Sequence, residues 1–553
     1  MPAPSFFRFI DEHAGRRRRT ILVGGVGSGL LQGLTIAVIG MGLDEFAKYN
    51  VVSARILLLF VLCVSGYYWS YRLAMAASTG VAFDAVSDMQ LNISDKLRRM
   101  DYMSFARLEH SQVYAALMGN KDIVVEAARY LVSFISGAAM MACALVYAAS
   151  ISLPGLLLIL GILVFCAMIF VRMQHKVNAQ QDAAKAPETK FLASLKDLLD
   201  GFTELKMHRA KSDDLYENGI RKLCCQAIDA KRAVERSAIQ TTAFFTSFAF
   251  FPVGAAIFLL PRFVEIDTEQ LVKLVAVTLF TLTPLMGMVV FIPIVSKAQM
   301  TLDTLMSFDA LLDSKQEPVP PRPPEAPEFT HIKIQGASFS YEAPQGQLPF
   351  ALTLDDFTLS RGELVFLTGG NGSGKSTFMR ILAGLMPLDS GSMTVDATPL
   401  GQVGLENYRA LFSVIFSDFH LFDTLYGLGP LEPKRLEDML ERMHLTGKVR
   451  VTDRHLSTTE LSSGQRKRLA LICALLEDRP VLLFDEVAAD FDFQFRDYFY
   501  TVILPELRAA GKTVLAISHD DRYFHVADRV LAMRYGAFEN PAAPGQAPQE
   551  TRA

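Results

Sequence analysis

Between Arg129 and Arg172 the chain runs for 42 residues without one charged side chain. A helix needs roughly 20 apolar residues to cross the ~30 Å hydrocarbon core of a bilayer, so this run is long enough to cross twice. Ser152-Leu153-Pro154-Gly155, near its middle, supplies the reversal, because proline interrupts a helix interior and glycine tolerates a tight turn. Four further uncharged or nearly uncharged stretches have spanning length: 20–42, 56–83, 237–260 and 274–296. Only the second is interrupted, by Arg72, which either faces an internal cavity or snorkels to an interface. Pro252, Pro284 and Pro293 are expected to kink the last two. Six spans are therefore expected over 20–312.

A chain that is 51% hydrophobic with mean hydropathy +0.25 is too apolar for an ordinary soluble enzyme. A net charge of -4 gives no reason to expect a phosphate backbone as a partner, so no nucleic acid is expected. Lys and Arg give the orientation: residues 1–19, 84–129 and 172–236 hold 24 of them, whereas 43–55, 152–155 and 261–273 hold 4. Both termini are thus expected in the cytoplasm, with the membrane helices running on into it through 84–129 and 172–236. Residues 1–19 read as a cytoplasmic amphipathic N-terminus, with the amphipathic SFFRFIDEH, Ser5–His13, ahead of Arg16–Arg19, and no cleaved signal peptide is expected. Cys63, Cys143, Cys166, Cys224, Cys225 and Cys473 lack metal-ligand or disulfide spacing and are expected to be apolar fillers.

Residues 313–329, DSKQEPVPPRPPEAPEF, carry six prolines in seventeen positions and mark a linker. Beyond it, 330–540 alternates strand-like and helical stretches, as in a cytoplasmic α/β domain, and 541–553 reads as a tail. The fold class expected is a polytopic α-helical membrane domain joined to an α/β P-loop ATPase domain. Gly369-Gly370-Asn371-Gly372-Ser373-Gly374-Lys375-Ser376-Thr377 satisfies GxxxxGK[ST] between the strand-like ELVFL and the helical FMRILAGL. Backbone amides of such a loop cradle phosphates, Lys375 reaches the β and γ oxygens of ATP, and the Ser376 hydroxyl ligates Mg²⁺. The apolar VLLFDE ends in Asp485, a Mg²⁺ ligand through water, and Glu486, a general base. His519, also at a strand end, can brace water and γ-phosphate. Alone, the acid pair is as readily a turn and the histidine a core residue; their order behind the P-loop favours function.

LSSGQRKRLAL, Leu461–Leu471, resembles the LSGGQ signature of ATP-binding-cassette (ABC) proteins, with Ser463 at its third position. The resemblance covers the whole chain, six spans followed by one cassette, which is the layout of a half-size ABC exporter. It implies a homodimer in which Ser462, Ser463, Gly464 and Gln465 face the partner's ATP, and it makes Tyr341 the adenine-stacking aromatic, with a plain strand aromatic as the alternative. It also implies inner-loop helices that press on a cassette, placed here at 113–120 and 204–215, where solvated amphipathic helix is the alternative. The chain departs from the family twice: IFSDFHLF carries Ser417 where exporters usually read glutamine, and VAADFD stands where ATSALD is usual. Ser417 or Asp418 would then share the Mg²⁺ duty through water. These departures are similar to those of the bacterial cyclic-peptide exporters, which handle siderophore precursors of the pyoverdine type and lipopeptides. The expected function is ATP-driven export of such a peptide across the inner membrane; a lipid or lipopeptide flippase and a non-exporting ATPase or inward carrier are the alternatives.

Overall fold

The computed structural model describes residues 5–539 apart from 109–112, 115–116, 118–120, 249, 319–323, 342–349 and 430. The 541–553 tail, residues 1–4, most of the 113–120 contact segment and part of the 313–329 linker lie outside the described residues. Two compact units emerge, one of Met1–Arg98 with Glu109–Ser314 and one of Arg99–Leu108 with Lys315–Ala553.

The first unit opens with α1 (Ser5–Ala14). Phe6, Phe9, Ile10 and Ala14 fall at helical spacing on one face and are buried, while Arg8 and Glu12 pair on the exposed side. Six helical segments among the described residues are long and apolar enough to cross a membrane. They comprise α2 (Arg17–Tyr49), α3 (Ala54–Arg98), which continues toward a short α4 (Tyr102–Arg107) in the other unit, α5 (Asp122–Ile151), α6 (Leu153–Asp200), the stretch Arg209–Arg262 and a final helix described below. At about 1.5 Å per residue α3 is ~68 Å long, twice the hydrocarbon core, so much of it stands outside the bilayer. Between α5 and α6 the reversal takes one extended residue, Ser152, whose hydroxyl accepts the Gly155 N–H at 3.2 Å. After α6 come α7 (Phe202–Met207), α8 (Arg209–Asp214) and α9 (Arg221–Phe248). The 204–215 segment belongs to this unit. The chain breaks again at Phe251–Gly254, which carries Pro252, before α10 (Thr268–Asp313). Pro284 and Pro293 lie inside α10 without ending it.

Glycine sets the approach of α2 to α5. A Cβ at Gly29 would stand 2.1 Å from the Ser136 carbonyl oxygen, and one at Gly33 would stand 2.5 Å from Cys143 Cβ. Small residues let helix backbones meet where hydrophobicity alone gives no drive between them. Ser28 Oγ and Ser136 Oγ, 2.8 Å apart, add a buried polar contact at the same crossing.

The second unit has two sheets. Strands β1 (His331–Ser340), β2 (Ala351–Leu354) and β3 (Phe357–Ser360) are antiparallel; β4 (Leu364–Thr368) begins a separate sheet; β5 (Ser390–Val395) and β6 (Thr398–Pro399) return to the first. Helix α11 (Lys375–Leu382) follows β4. The other sheet adds β7 (Phe412–Ile415), β10 (Val481–Asp485), β11 (Thr513–Ile517), β12 (Arg529–Arg534) and β13 (Ala537–Glu539). A small hairpin, β8 (Val451–Thr452) with β9 (His455–Leu456), lies apart from both. The strand order is β13-β12-β4-β11-β10-β7, parallel throughout except for β13. Every residue of β10 and β11 is buried, as parallel strands covered on both faces require. Helices α12 (Pro433–Arg442) and α13 (Ser463–Leu476) pack on the face served by Leu364, Phe366 and Phe484.

Candidate functional site

In an open parallel sheet, ligands gather where the strands end at their carboxyl side. Three adjacent strands deliver the chemistry there: β4 runs into the loop 369–374, β10 ends on Asp485 and Glu486, and β11 ends two residues before His519. The loop needs glycine for a definite reason. Gly369 has φ 145° with the Met533 carbonyl oxygen 2.2 Å from where a Cβ would sit, and Gly374 has φ 105° against Leu352 and Phe350. α11 then starts at Lys375, so the first amides of the helix and the loop amides point into one cradle. That cradle is a cavity of about 440 Å³ lined by Tyr341, Phe350, 371–377 and Glu486.

Lys375 is buried, and its ammonium donates to the carbonyls of Gly369 (2.8 Å) and Gly370 (3.0 Å). Burial lowers its pKa, and the nearby Glu486 and Asp485 oppose that shift. Phosphate oxygens would replace the two carbonyls as its partners. Tyr341 sits at the mouth with its hydroxyl 3.4 Å from Thr377 Oγ1 and its ring edge-on to Phe339. Phe350, 6.3 Å from Tyr341 ring to ring, is a second aromatic at this mouth that the sequence did not single out; no motif carries it.

Asp485 is 1% exposed, and neither carboxylate oxygen has a partner of strict hydrogen-bond geometry, although the Ser376 hydroxyl and the Ser417 amide lie close enough to favour its charged form. Burial nonetheless raises its pKa. A buried carboxylate without partners beside a hydroxyl fits a hard divalent cation. Ser376 and Asp485 would hold Mg²⁺, which would neutralise charge on the β and γ oxygens of ATP. Asp418 is engaged elsewhere, paired with Arg380 at 3.2 Å, and the Ser417 backbone rather than its hydroxyl is what lies near Asp485.

Glu486 adopts a left-handed backbone conformation, φ 50°, and Lys467 donates to its carbonyl at 3.0 Å. A non-glycine residue held there stores backbone strain, as residues aimed at a reacting centre often do. Its Oε1 lies 3.0 Å from His519 Nε2, so the carboxylate and the imidazole form one polar unit beside Lys375. Such a unit can take a proton from a water attacking the γ-phosphate.

Ser462 caps α13 and exchanges hydrogen bonds with Gln465 in a capping box. Gly464 packs under the 487–492 segment, where a Cβ would meet the Asp490 carbonyl oxygen at 2.5 Å. The two aspartates of VAADFD both serve this junction: Asp490 pairs with Lys467 at 2.9 Å, and Asp492 pairs with Arg468, whose guanidinium lies 4.0 Å over the Phe495 ring. None of Ser462, Ser463, Gly464 or Gln465 lines the P-loop cavity of its own chain.

The first unit contains a cavity of about 780 Å³ between α5, α6, α9 and α10. Glu126, Gln174, Asn178 and Lys297 share its wall with Phe170, Phe245 and Met286, and the Lys231–Glu188 ion pair (2.5 Å) also lines it.

Residues 352–489 match the family model described as ABC transporter. The chain is 37% identical over 300 residues to the ATP-binding protein SyrD of Pseudomonas syringae pv. syringae, covering 51% of this chain and 52% of that one. It is 32% identical over 240 residues to an ATP-dependent lipid A-core flippase of Burkholderia pseudomallei, covering 41% and 39%. The chain thus spans about half the length or less of these relatives. The solved structure of a bacterial Atm1-family ABC exporter with ATP bound superposes with TM-score 0.74 over 95% of both chains at 17% identity, a likeness of fold.

Proposed function

We infer that this chain, a half-size ABC exporter in fold and cassette, hydrolyses ATP to move an amphipathic peptide, cyclic or acylated, out of the cytoplasm across the inner membrane as a homodimer. The convergence of Lys375, Asp485, Glu486 and His519 at the ends of three neighbouring strands supports the ATPase half of the reading. Mg²⁺ would be held by Ser376 and Asp485, with both termini and the cassette cytoplasmic, as the distribution of Lys and Arg favours.

The mixed lining of the membrane-unit cavity carries the cargo half. Amide and charged side chains offer partners to a peptide backbone, and the phenylalanines and Met286 offer a surface to an acyl or ring portion. A wholly apolar wall would suit a lipid better. The resemblance of IFSDFHLF and VAADFD to the cassettes of cyclic-peptide exporters, including those of siderophore precursors, agrees with this choice without naming the cargo. The test is direct: inverted vesicles containing the protein should accumulate a cyclic lipopeptide of about one to two kilodaltons when ATP is supplied, and that peptide should stimulate ATPase activity. ATP-dependent movement of a fluorescent phospholipid between leaflets without peptide uptake would replace this reading with a flippase.

A further inference from the structure

Arg380 belongs to no motif, yet it touches three parts of the ATPase unit at once. It lies four residues after Ser376 on α11, so the guanidinium and the Mg²⁺-side hydroxyl share one helix face. Only 18% of its side chain is exposed. One nitrogen donates to both oxygens of Asp418 (3.3 and 3.2 Å), and the guanidinium carbon stands 5.4 Å over the Phe416 ring. Phe416 and Asp418 flank Ser417, whose backbone amide lies near Asp485 and favours its charged form without a hydrogen bond of strict geometry. On its other side Arg380 lies 5.9 Å over the Tyr102 ring.

Tyr102 opens α4, the segment covalently continuous with the long α3. This segment is fastened to the ATPase unit along its backbone. Met100 bridges Gln316, Asp101 N–H donates to the Lys315 carbonyl at 3.0 Å, and Glu317 N–H donates to the Arg99 carbonyl at 2.8 Å. Glu317 is in turn held by Arg409. Asp101 caps α4 by accepting the Ser104 N–H, and Tyr102 and Met103 pack against the cassette core. The Asp101–Arg107 segment therefore has a short route to the ATP site, through an aromatic ring resting on a guanidinium.

We propose that Arg380 is a positioning residue that couples the Asp101–Arg107 segment to the Mg²⁺ side of the ATP site, by clamping the 416–418 loop against Tyr102. When Tyr102 is in place, the guanidinium is held between two rings and a carboxylate and fixes the Ser417 amide toward Asp485. When Tyr102 moves, the guanidinium loses one wall and the loop loosens. Arginine suits this task, because its planar head stacks and forks at once where lysine would do neither.

The inference rests on the cassette binding Mg²⁺ with ATP, so the experiment measures metal and nucleotide separately, on full-length purified protein. A fluorescent ATP analogue is titrated in chelator, and Mg²⁺ is then titrated into the saturated complex. Tyr102→Leu and Arg380→Ala should each weaken Mg²⁺ by about tenfold, the lower end of what losing a supporting partner costs a metal site. Metal-free nucleotide affinity should stay within about twofold, because the phosphate cradle is untouched. Tyr102→Phe, which keeps the ring, should restore parent behaviour, and Tyr102→Leu should add little in the Arg380→Ala background. If Arg380→Ala fails to fold, Tyr102→Leu alone decides. Unchanged Mg²⁺ affinity in Tyr102→Leu, or effects of the two substitutions that simply add, overturns the proposal. A parent protein that shows no Mg²⁺-dependent nucleotide binding would instead overturn the ATPase reading.

Discussion

Glu486 shows how one residue can be fixed in place by its backbone. Its left-handed backbone, held by the Lys467 donor to its carbonyl, sets it at the end of β10, and its carboxylate rests 3.0 Å from His519. Glu486→Gln keeps size and backbone but removes the basic oxygen. ATP should still bind, while steady-state hydrolysis falls by about 10² to 10⁴-fold, the usual worth of a general base. Activity within a factor of two of the parent would reassign the residue. The cysteines give a second prediction at this scale. Burial, aided by Glu477, pushes the Cys473 thiol up to about 12, whereas Cys225 is exposed. The thiolate is the reactive form, so a maleimide at about pH 8 should label Cys225 within minutes and spare Cys473 in the folded protein. Equal labelling of the two would mean that α13 opens readily.

Elements here are held by the residues that permit close approach. At the α2–α5 crossing, Gly29 faces the Ser136 carbonyl so closely that a methyl group cannot be added without separating the helices. Gly29→Ala should cost about 1–3 kcal/mol of overpacking and lower the midpoint of thermal unfolding. Gly161→Ala, at a position where nothing lies within 4 Å, should leave it unchanged or raise it slightly, since alanine favours helix. The hydropathy pattern made these spans readable, and GxxxxGK[ST], VLLFDE and LSSGQ made the ends of β4 and β10 and the start of α13 readable. In each case the signal is local: length and apolarity for a span, spacing for a loop. What stayed hidden depends on contacts far apart in sequence. Phe350 reaches the ATP mouth through the placement of β2, Asp490 and Asp492 bind the signature helix through packing, and Arg380 meets Tyr102 from 278 residues away. The cavity walls were unreadable for another reason, because composition fixes that a helix is apolar but not its rotation about its own axis. That Arg99–Leu108 groups with the ATPase unit was hidden too, because its anchor is a backbone bridge that leaves no mark in residue type.

At the scale of the whole molecule, one chain carries half of each proposed ATP site. The P-loop, Asp485, Glu486 and His519 converge in one place, but Ser462–Gln465 stand outside that cavity, at the start of a helix whose cap and ion pairs hold it rigidly where it is. Refolding that junction to bring the signature to its own P-loop would break the capping box and both pairs. Docking a second copy about a two-fold axis, as in the proposed homodimer, would leave that junction intact and would complete two sites at once. If the P-loop of one chain and the signature of the other make each site, two differently damaged chains should rescue one another. Lys375→Ala and Ser463→Arg homodimers should each be inactive, and heterodimers purified through two tags should recover up to about half the parent turnover, because one of their two sites keeps an intact Lys375 facing an intact Ser463. Heterodimers as inactive as either homodimer would mean that each chain works alone.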